Sequence, residues 1–463
     1  ILAKKKIILH QAVGNAIEKV HKEHIDEYYS VLAEHHIASK NYEKGAEFLK
    51  LEASKARKRA SFNEAIDFGK KVTACLEKLP RNGEVVKKLI DAKVTLGLYY
   101  NQMFQHFEAN EAIEPIFELA LERDYKKRIS QICIIVGTYS LMIEGNYPKA
   151  IQYLQDAIRI AEKTEDRLSL SLANHWIAHA LAESCEFSSA LLHLEKVMEI
   201  NVAANVTWAI AAMQGCISMT VYNNQGRADL GIELSRKNLK FADEYGDAWS
   251  RAEAHTYYGS SCYLKGSLDE AEEYLLKAID YCERISFLAM GYLAHFFLGE
   301  TYFDLGEYQK SKNNHEEAIS LQKRCRAKSS ITSSNEIALA RAKVMVGDRD
   351  IEIESLYGYA DENKMKIHDG MLARYISEIL LNIDDKYLSA AEDWINKAIE
   401  KDKRNGMVWW HLARDHALYS ELNKRKGDNS NAAKHLTKTI EIFKSCGADG
   451  WVELYKKKLA TIR

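Results

Sequence analysis

Apolar and small residues recur along this chain with a step of about 40 residues, the kind of period that marks a repeat protein. The clearest copy places apolar residues at helical spacing, from Leu264 through Leu268 to Leu275. The small residues expected on each second helix are Ala150, Ala190, Gly231, Ala271, Ser311, Ala391 and Ala433, with Glu352 at the weakest copy. Each unit therefore predicts a helix pair that must bury its apolar face against neighbouring units.

Glycine marks the turn between the two helices of a unit. Corresponding turns hold Gly145, Gly226, Gly266, Gly306, Gly347 and Gly427. A residue in the left-handed conformation commonly ends a helix at such a point, and glycine adopts that conformation without steric cost. Pro148 follows the first of these turns, at the start of a predicted helix, where its missing N–H does no harm.

The copy with Leu298-Gly299, Tyr302 and Gly306-Glu307-Tyr308 resembles the tetratricopeptide repeat (TPR), whose usual length is about 34 residues. We predict an all-α fold, a right-handed α-solenoid of stacked helix-turn-helix TPR-like repeats of about 40 residues. Residues 1–22 are expected to form a capping or linker helix. Residues 23–463 are expected to form one continuous superhelix of about 10–11 repeats, with its weakest joint at 327–370.

The charge balance excludes some classes of partner. The chain of 463 residues has 64 Lys and Arg against 66 Asp and Glu, and a formal net charge of -2. This balance argues against binding to nucleic acid or to an anionic membrane. The sequence has no secretory signal and no run of about 20 apolar residues that could span a bilayer. Its eight cysteines are scattered, which suits a reducing compartment, and we expect a cytoplasmic protein.

No catalytic motif stands out. The sequence lacks a phosphate-binding loop, a dinucleotide-binding glycine turn and a nucleophile elbow. We therefore expect a chain that is not an enzyme and has no catalytic, cofactor-binding or metal-binding residues. His175 and His179 lie one helical turn apart and could supply two metal ligands, but the sequence shows no third. An enzyme with an unusual site at these histidines is the least favoured alternative.

Residues on the inner face of each first helix should line a groove. In this repeat frame they are His175, His179, Glu183, Thr220, Asn223, Asn224, Thr256, Tyr263, Phe296, Glu300, Phe303 and Asp304. The set is aromatic, polar and mildly acidic, which suits a protein or peptide segment better than a polyanion. It has no basic residues that match the carboxylate clamp of chaperone-binding TPR proteins, so we expect no such clamp. The groove could also be solvated, or filled by the protein's own missing domain.

Two segments resemble bacterial signalling proteins that join a nucleotide cyclase or kinase to an AAA/STAND-type ATPase and a C-terminal repeat array. Residues 9–18, Leu-His-Gln-Ala-Val-Gly-Asn-Ala-Ile-Glu, are similar to the helix that ends the ATPase part. Residues 443–451 are similar to the end of the array. Maltose-regulator-type activators share the ATPase and the repeats. The resemblance implies that helix 1–22 is the end of a missing upstream ATPase domain, and the start at Ile1 rather than Met agrees with a fragment.

The leading hypothesis is a sensing and protein–protein interaction array of such a signalling ATPase or cyclase. A partner segment in the groove would bias the upstream domain between resting and active states by binding one state more tightly. The alternative is a stand-alone TPR adaptor or scaffold with no attached enzyme. No cofactor is expected in either case. The sequence does not indicate an oligomeric state.

Overall fold

The computed structural model describes residues 2–205 and 207–462. Ile1, Val206 and Arg463 belong to the predicted ranges 1–22 and 23–463 and lie outside the described residues. The described part of the chain folds into helices without any strand. The prediction of an all-α array of stacked helix pairs is confirmed.

The helices of the described chain pair in sequence order. They are α1 (Leu2–Val20), α2 (Tyr29–Ala38), α3 (Tyr42–Lys58), α4 (Phe62–Leu76), α5 (Gly83–Gln102), α6 (His106–Ile113), α7 (Phe117–Glu122), α8 (Lys126–Met142), α9 (Tyr147–Thr164), α10 (Arg167–Glu183), α11 (Phe187–Ala203), α12 (Thr207–Ile217), α13 (Ala228–Tyr245), α14 (Ala248–Lys265), α15 (Leu268–Arg284), α16 (Leu288–Asp304), α17 (Tyr308–Arg324), α18 (Ser329–Met345), α19 (Ile353–Asp361), α20 (Asp369–Ile383), α21 (Leu388–Arg404), α22 (Trp410–Arg425), α23 (Asn429–Ser445) and α24 (Asp449–Ala460). A π-helical segment, Ser218–Asn223, continues α12. Among these helices, none combines the length and the apolar character that crossing a bilayer requires.

The chain divides into two compact units. The first comprises Ile1–Ser140 and Pro148–Ala173, and the second comprises Leu141–Tyr147 and Asn174–Arg463. This division does not test the predicted boundary after residue 22. It does not test the predicted single superhelix either, so both stay predictions.

In the first unit, α1 packs against α2 and α3 through its C-terminal half. A Cβ at Gly14 would lie 3.3 Å from the imidazole of His36, so the two helices approach closely. Glu18 accepts hydrogen bonds from His36 Nε2 at 2.7 Å and from Lys44 Nζ at 2.8 Å. These contacts join the predicted capping helix to the first repeat of this unit.

The turn glycines have the predicted conformation, with φ between 59° at Gly145 and 94° at Gly347. A buried small residue follows five positions later in several repeats, at Ala150, Gly231, Ala271, Ser311 and Ala432. The predicted Ala433 is therefore wrong by one position: Ala432 is fully buried and Ala433 only partly. Glu352 is exposed, and its repeat uses Leu356 for packing instead.

Within the second unit, the last helices pack against the middle ones. The indole Nε1 of Trp451 donates a hydrogen bond to the Tyr263 carbonyl at 3.0 Å. The Tyr263 ring centroid lies 5.6 Å from that of Trp410 and 5.9 Å from that of Trp451. The backbone N–H of Asp229 also donates to the Cys446 carbonyl at 2.9 Å. Helices α14, α22 and α24 therefore share one core although they are distant in sequence.

Candidate binding site on the inner face

First helices of successive repeats in the second unit, together with the second helix α17, surround a cavity of about 120 Å³. Its wall combines aromatic and amide side chains, among them Asn223, Asn224, Tyr263, Tyr292, Phe296, Phe297, Gln322, Asn335 and Trp410. The π-helical segment after α12 contributes Asn223, and π-helical turns are often found at functional sites. We refer to this space as the inner cavity.

Two buried amides in the cavity wall have side-chain atoms without a protein partner, although the Asn335 side-chain nitrogen donates to the Ile331 carbonyl at 3.5 Å. Gln322 is completely buried, and neither atom of its amide has a hydrogen-bond partner among the described residues. The side-chain oxygen of Asn335, which is 3% exposed, has none either. An unsatisfied buried amide costs about 1–3 kcal/mol, so a polar group that reached these atoms would remove that cost.

The predicted groove residues divide between the inner cavity and closed contacts elsewhere. Five of them line the cavity: Asn223, Asn224, Tyr263, Phe296 and Glu300. The other seven make contacts elsewhere. Glu183 accepts a hydrogen bond from buried Lys328, and Thr256 donates one within its own helix. Phe303 and Asp304 contact arginines, and three side chains surround Cys216: His175, His179 and Thr220. All twelve are at least partly buried, and their role in binding a partner stays a prediction.

Glu300 is held as a buried carboxylate by α18 and α20. Arg341 Nη2 donates to both carboxylate oxygens, at 2.7 and 2.8 Å, and the Tyr375 hydroxyl donates to one of them. The guanidinium of Arg341 lies between the rings of Phe303 and Tyr375, 3.8 Å from each centroid. Burial acts to raise the pKa of Glu300, but the Arg341 charge, the nearby His315 with its Nε2 at 3.4 Å and the hydrogen bond from Tyr375 outweigh it and hold that pKa well below its usual range.

A second charged cluster links α20, α21 and α22. Arg374 Nη1 donates to Asp415 Oδ1 at 2.9 Å and lies 4.0 Å from Asp402 Oδ2. Burial raises the pKa of both carboxyl groups, and repulsion from Asp415 raises that of Asp402 further.

Three arginines of the inner face were not recognised from the sequence: Arg341, Arg374 and Arg414. Each pairs with a carboxylate of a neighbouring helix, as Arg414 does with Asp304 at 2.8 Å. Because their charges are already balanced, they offer no free clamp for a terminal carboxylate.

A cluster of three side chains lies beside this region, on α10 and α12. Cys216 Sγ is 3.7 Å from His175 Nδ1 and 3.9 Å from His179 Nε2. All three donor atoms lie within 4.8 Å of one another. Burial, together with the nearby His179, lowers the pKa of His175 to about 3, so the His175 ring is neutral at physiological pH. The histidine pair could be predicted from the sequence by its helical spacing, whereas Cys216 was not predicted.

No protein-family model matches the sequence, and a search of curated proteins found no match. Solved structures of Rap proteins do match. The Rap conjugation gene regulator of the plasmid pLS20, in complex with the Phr* peptide, is 15% identical, with a TM-score of 0.52 over 78% of this chain and 95% of that one. A Rap protein complexed with competence and sporulation factor is 13% identical, with a TM-score of 0.46 over 90% of this chain and 99% of that one. The chain is therefore a TPR-like helical array similar in fold to the pLS20 regulator, and at 15% identity the likeness concerns the fold alone.

Proposed function

We propose that the second unit binds an extended peptide segment at the inner cavity and works as a regulatory interaction module rather than as an enzyme. The observation that carries this proposal is the pair of buried amides in the cavity wall, Gln322 and Asn335, which have unpaired polar atoms. A ligand that completes their hydrogen bonds removes a cost already present in the folded chain.

The chemistry of the wall favours a peptide over other ligands. An amide side chain both donates and accepts, so it matches the N–H and C=O groups of a peptide backbone. Tyr292, Phe296 and Phe297 supply aromatic surface for an apolar side chain of the same ligand. A volume of about 120 Å³ accepts an anchoring side chain with its backbone but no folded partner. The paired arginines leave no free positive charge for a polyanion.

The pLS20 regulator supports the proposal by analogy, since its structure contains a peptide. Because the two proteins share a helical-repeat fold, we infer that this chain binds the same class of ligand, a peptide. A peptide array identifies the ligand's sequence, because the two chains are only 15% identical.

A synthetic array of all-neutral hexapeptides, probed with the fluorescently labelled full chain, tests the proposal. We expect a subset with an aromatic or large aliphatic anchor to bind, and the affinity of one selected peptide is then measured in solution. Gln322→Met keeps the size of the side chain and removes its amide. We expect this variant to bind at least about tenfold more weakly, as loss of a buried hydrogen bond predicts.

Gln309→Met is the matched control, because Gln309 lies on the same helix, α17, with its side chain exposed. It should bind like the wild type. Equal binding by wild type and Gln322→Met would overturn the proposal, as would an array with no sequence preference.

We further propose, from the sequence resemblance, that the array regulates an ATPase or cyclase domain of the same protein in the cytoplasm. The eight cysteines are scattered along the chain and form no disulfide among the described residues, which supports a reducing compartment. The stand-alone adaptor is the competing proposal. The coding sequence before Ile1 distinguishes them: a phosphate-binding loop upstream supports the signalling ATPase, and a start codon there supports the adaptor.

A further inference from the structure

The cluster of His175, His179 and Cys216 joins two successive first helices of the second unit. The histidines are one turn apart on α10, and their ring centroids are 4.8 Å apart. Cys216 is near the end of α12 and is 4% exposed, whereas both histidines are partly exposed. The sulfur is therefore fixed inside the protein, and solvent can reach the cluster from the histidine side.

Two of the three distances between these donor atoms are close to those of a single tetrahedral metal ion. A zinc ion with a Zn–S bond of about 2.3 Å and Zn–N bonds of about 2.0 Å holds its sulfur and nitrogen ligands about 3.5 Å apart. The two sulfur–nitrogen distances here are 3.7 and 3.9 Å. The three donor atoms all lie within 4.8 Å of one another, whereas two nitrogens of a tetrahedral zinc site are about 3.3 Å apart, so zinc binding would draw the two imidazole rings together by side-chain rotation.

We propose that His175 Nδ1, His179 Nε2 and Cys216 Sγ bind one Zn²⁺ ion, with water as the fourth ligand. Imidazole nitrogen and thiolate sulfur are the ligand types that zinc prefers, and a set of three protein ligands leaves one position open. On binding, the Cys216 thiol gives its proton to solvent and the thiolate bonds to the metal. The ion would tie α10 to α12. This proposal does not rest on the peptide-binding function.

Other histidine pairs of the described chain provide a contrast. His416 Nδ1 and His435 Nδ1 are 3.1 Å apart, and His10 Nδ1 and His35 Nδ1 are 3.0 Å apart. Neither pair belongs to a group of three donors within metal-binding distance among the described residues. The thiol at Cys216 is therefore the feature that makes the first pair a candidate site.

Cobalt titration of the full chain, stripped with a chelator and kept reduced, tests the proposal. A cobalt–thiolate bond gives a charge-transfer band in the near ultraviolet, and tetrahedral Co²⁺ gives strong visible bands. We expect both to saturate at one equivalent and to disappear when one equivalent of Zn²⁺ is added. Cys216→Ser should abolish the charge-transfer band, and His175→Gln should weaken Zn²⁺ binding at least about 100-fold.

Two controls separate this site from adventitious binding. Cys282→Ser removes another buried thiol, and His416→Gln removes a histidine of a pair without a thiol. Both should keep the wild-type spectrum and stoichiometry. A charge-transfer band that survives Cys216→Ser, or a wild-type chain that binds no Co²⁺, would overturn the proposal.

Thermal unfolding gives a second readout that does not depend on the spectrum. Zn²⁺ should raise the melting temperature of the wild type, because a ligand of the folded state stabilises it by mass action. Cys216→Ser and His175→Gln should melt cooperatively, which shows that they fold, and should not respond to Zn²⁺. An equal zinc response in wild type and variants would count against the site.

Discussion

Arg414 on α22 reaches Asp304 on α16 with its Nη2 2.8 Å from the carboxylate Oδ1, although 110 residues separate them. The hydroxyl of Tyr263 donates to the other carboxylate oxygen at 2.9 Å. Both charged side chains are nearly buried, at 9% and 12% exposed. The pair therefore links the C-terminal helices of the second unit to its middle helices.

Removing the carboxylate should destabilise the second unit. Asp304→Asn leaves the Arg414 charge buried without a counter-charge, which typically costs about 3–5 kcal/mol. We expect a clearly lower urea midpoint, measured by tryptophan fluorescence. Glu273→Gln is the control, since Glu273 pairs with Lys277 on an exposed helix face and such pairs contribute at most about 1 kcal/mol. Equal midpoints for the two variants would contradict this prediction.

Glu253 should make stability depend on pH. Burial raises its pKa to about 7, although the Tyr257 hydroxyl donates a hydrogen bond to it and acts in the opposite direction. The unfolded chain has a glutamate pKa of about 4.3, so between these values the folded state holds the extra proton. The contribution of Glu253 to the free energy of unfolding is therefore fully present below about pH 4 and is lost as the pH rises towards 7.

Glu253→Gln should remove that loss, which is on the order of 3 kcal/mol. The measurement is the urea midpoint of wild type and variant from pH 4.5 to 8. The urea midpoint of the variant should rise relative to that of the wild type as the pH rises, and the difference should stay constant above pH 7. Parallel profiles across this range would show that Glu253 does not titrate as expected.

Gly370 should not tolerate a side chain. A Cβ there would lie 1.7 Å from Asp402 Oδ1, inside the buried cluster of Arg374, Asp402 and Asp415. We expect Gly370→Ala to lower the melting temperature sharply, because it displaces a carboxyl group in a core that has no space to relax.

Gly358→Ala is the matched control for that substitution. Gly358 lies in helix α19, and a Cβ there meets no atom within 4 Å. Alanine in a helix interior is favoured over glycine by about 0.5–1 kcal/mol, so this variant should be as stable as the wild type or slightly more so. Asp402→Ala combined with Gly370→Ala should recover part of the lost stability. Failure of Gly370→Ala to differ from Gly358→Ala would refute the proposed close contact.

Most of the fold could be predicted from the sequence because its signals are local. A turn glycine with positive φ and a small residue five positions later recur at Gly266 and Ala271 and again at Gly306 and Ser311. The same spacing from Gly427 identifies Ala432, so the error at Ala433 was avoidable. The division into two units has no comparable local signal.

The inner-face contacts follow the repeat step, which the sequence analysis used only for helices. Pairs separated by 41 residues are Tyr263 with Asp304, Glu300 with Arg341, Arg374 with Asp415, and His175 with Cys216. Applied to His175, this step would have identified Cys216 as a third ligand. The 41-residue spacing could not predict the contact of Arg414 with Asp304. That contact depends on how closely helices distant in sequence pack together within the second unit.

Substitution of Gly266 tests the close approach of α24 to the middle helices of the second unit. The Gly266 φ of 84° is strained for alanine, and a Cβ would lie 2.4 Å from the backbone nitrogen of Trp451 on α24. Gly306 has a similar φ of 80° but meets no atom within 4 Å, so Gly306→Ala carries the backbone strain alone, about 1–2 kcal/mol. Gly266→Ala should lose about 1–3 kcal/mol more, because it also pushes α24 away. Amide hydrogen exchange within α24 should rise in Gly266→Ala and stay at the wild-type rate in Gly306→Ala. Similar exchange in both variants would mean that α24 does not depend on this contact.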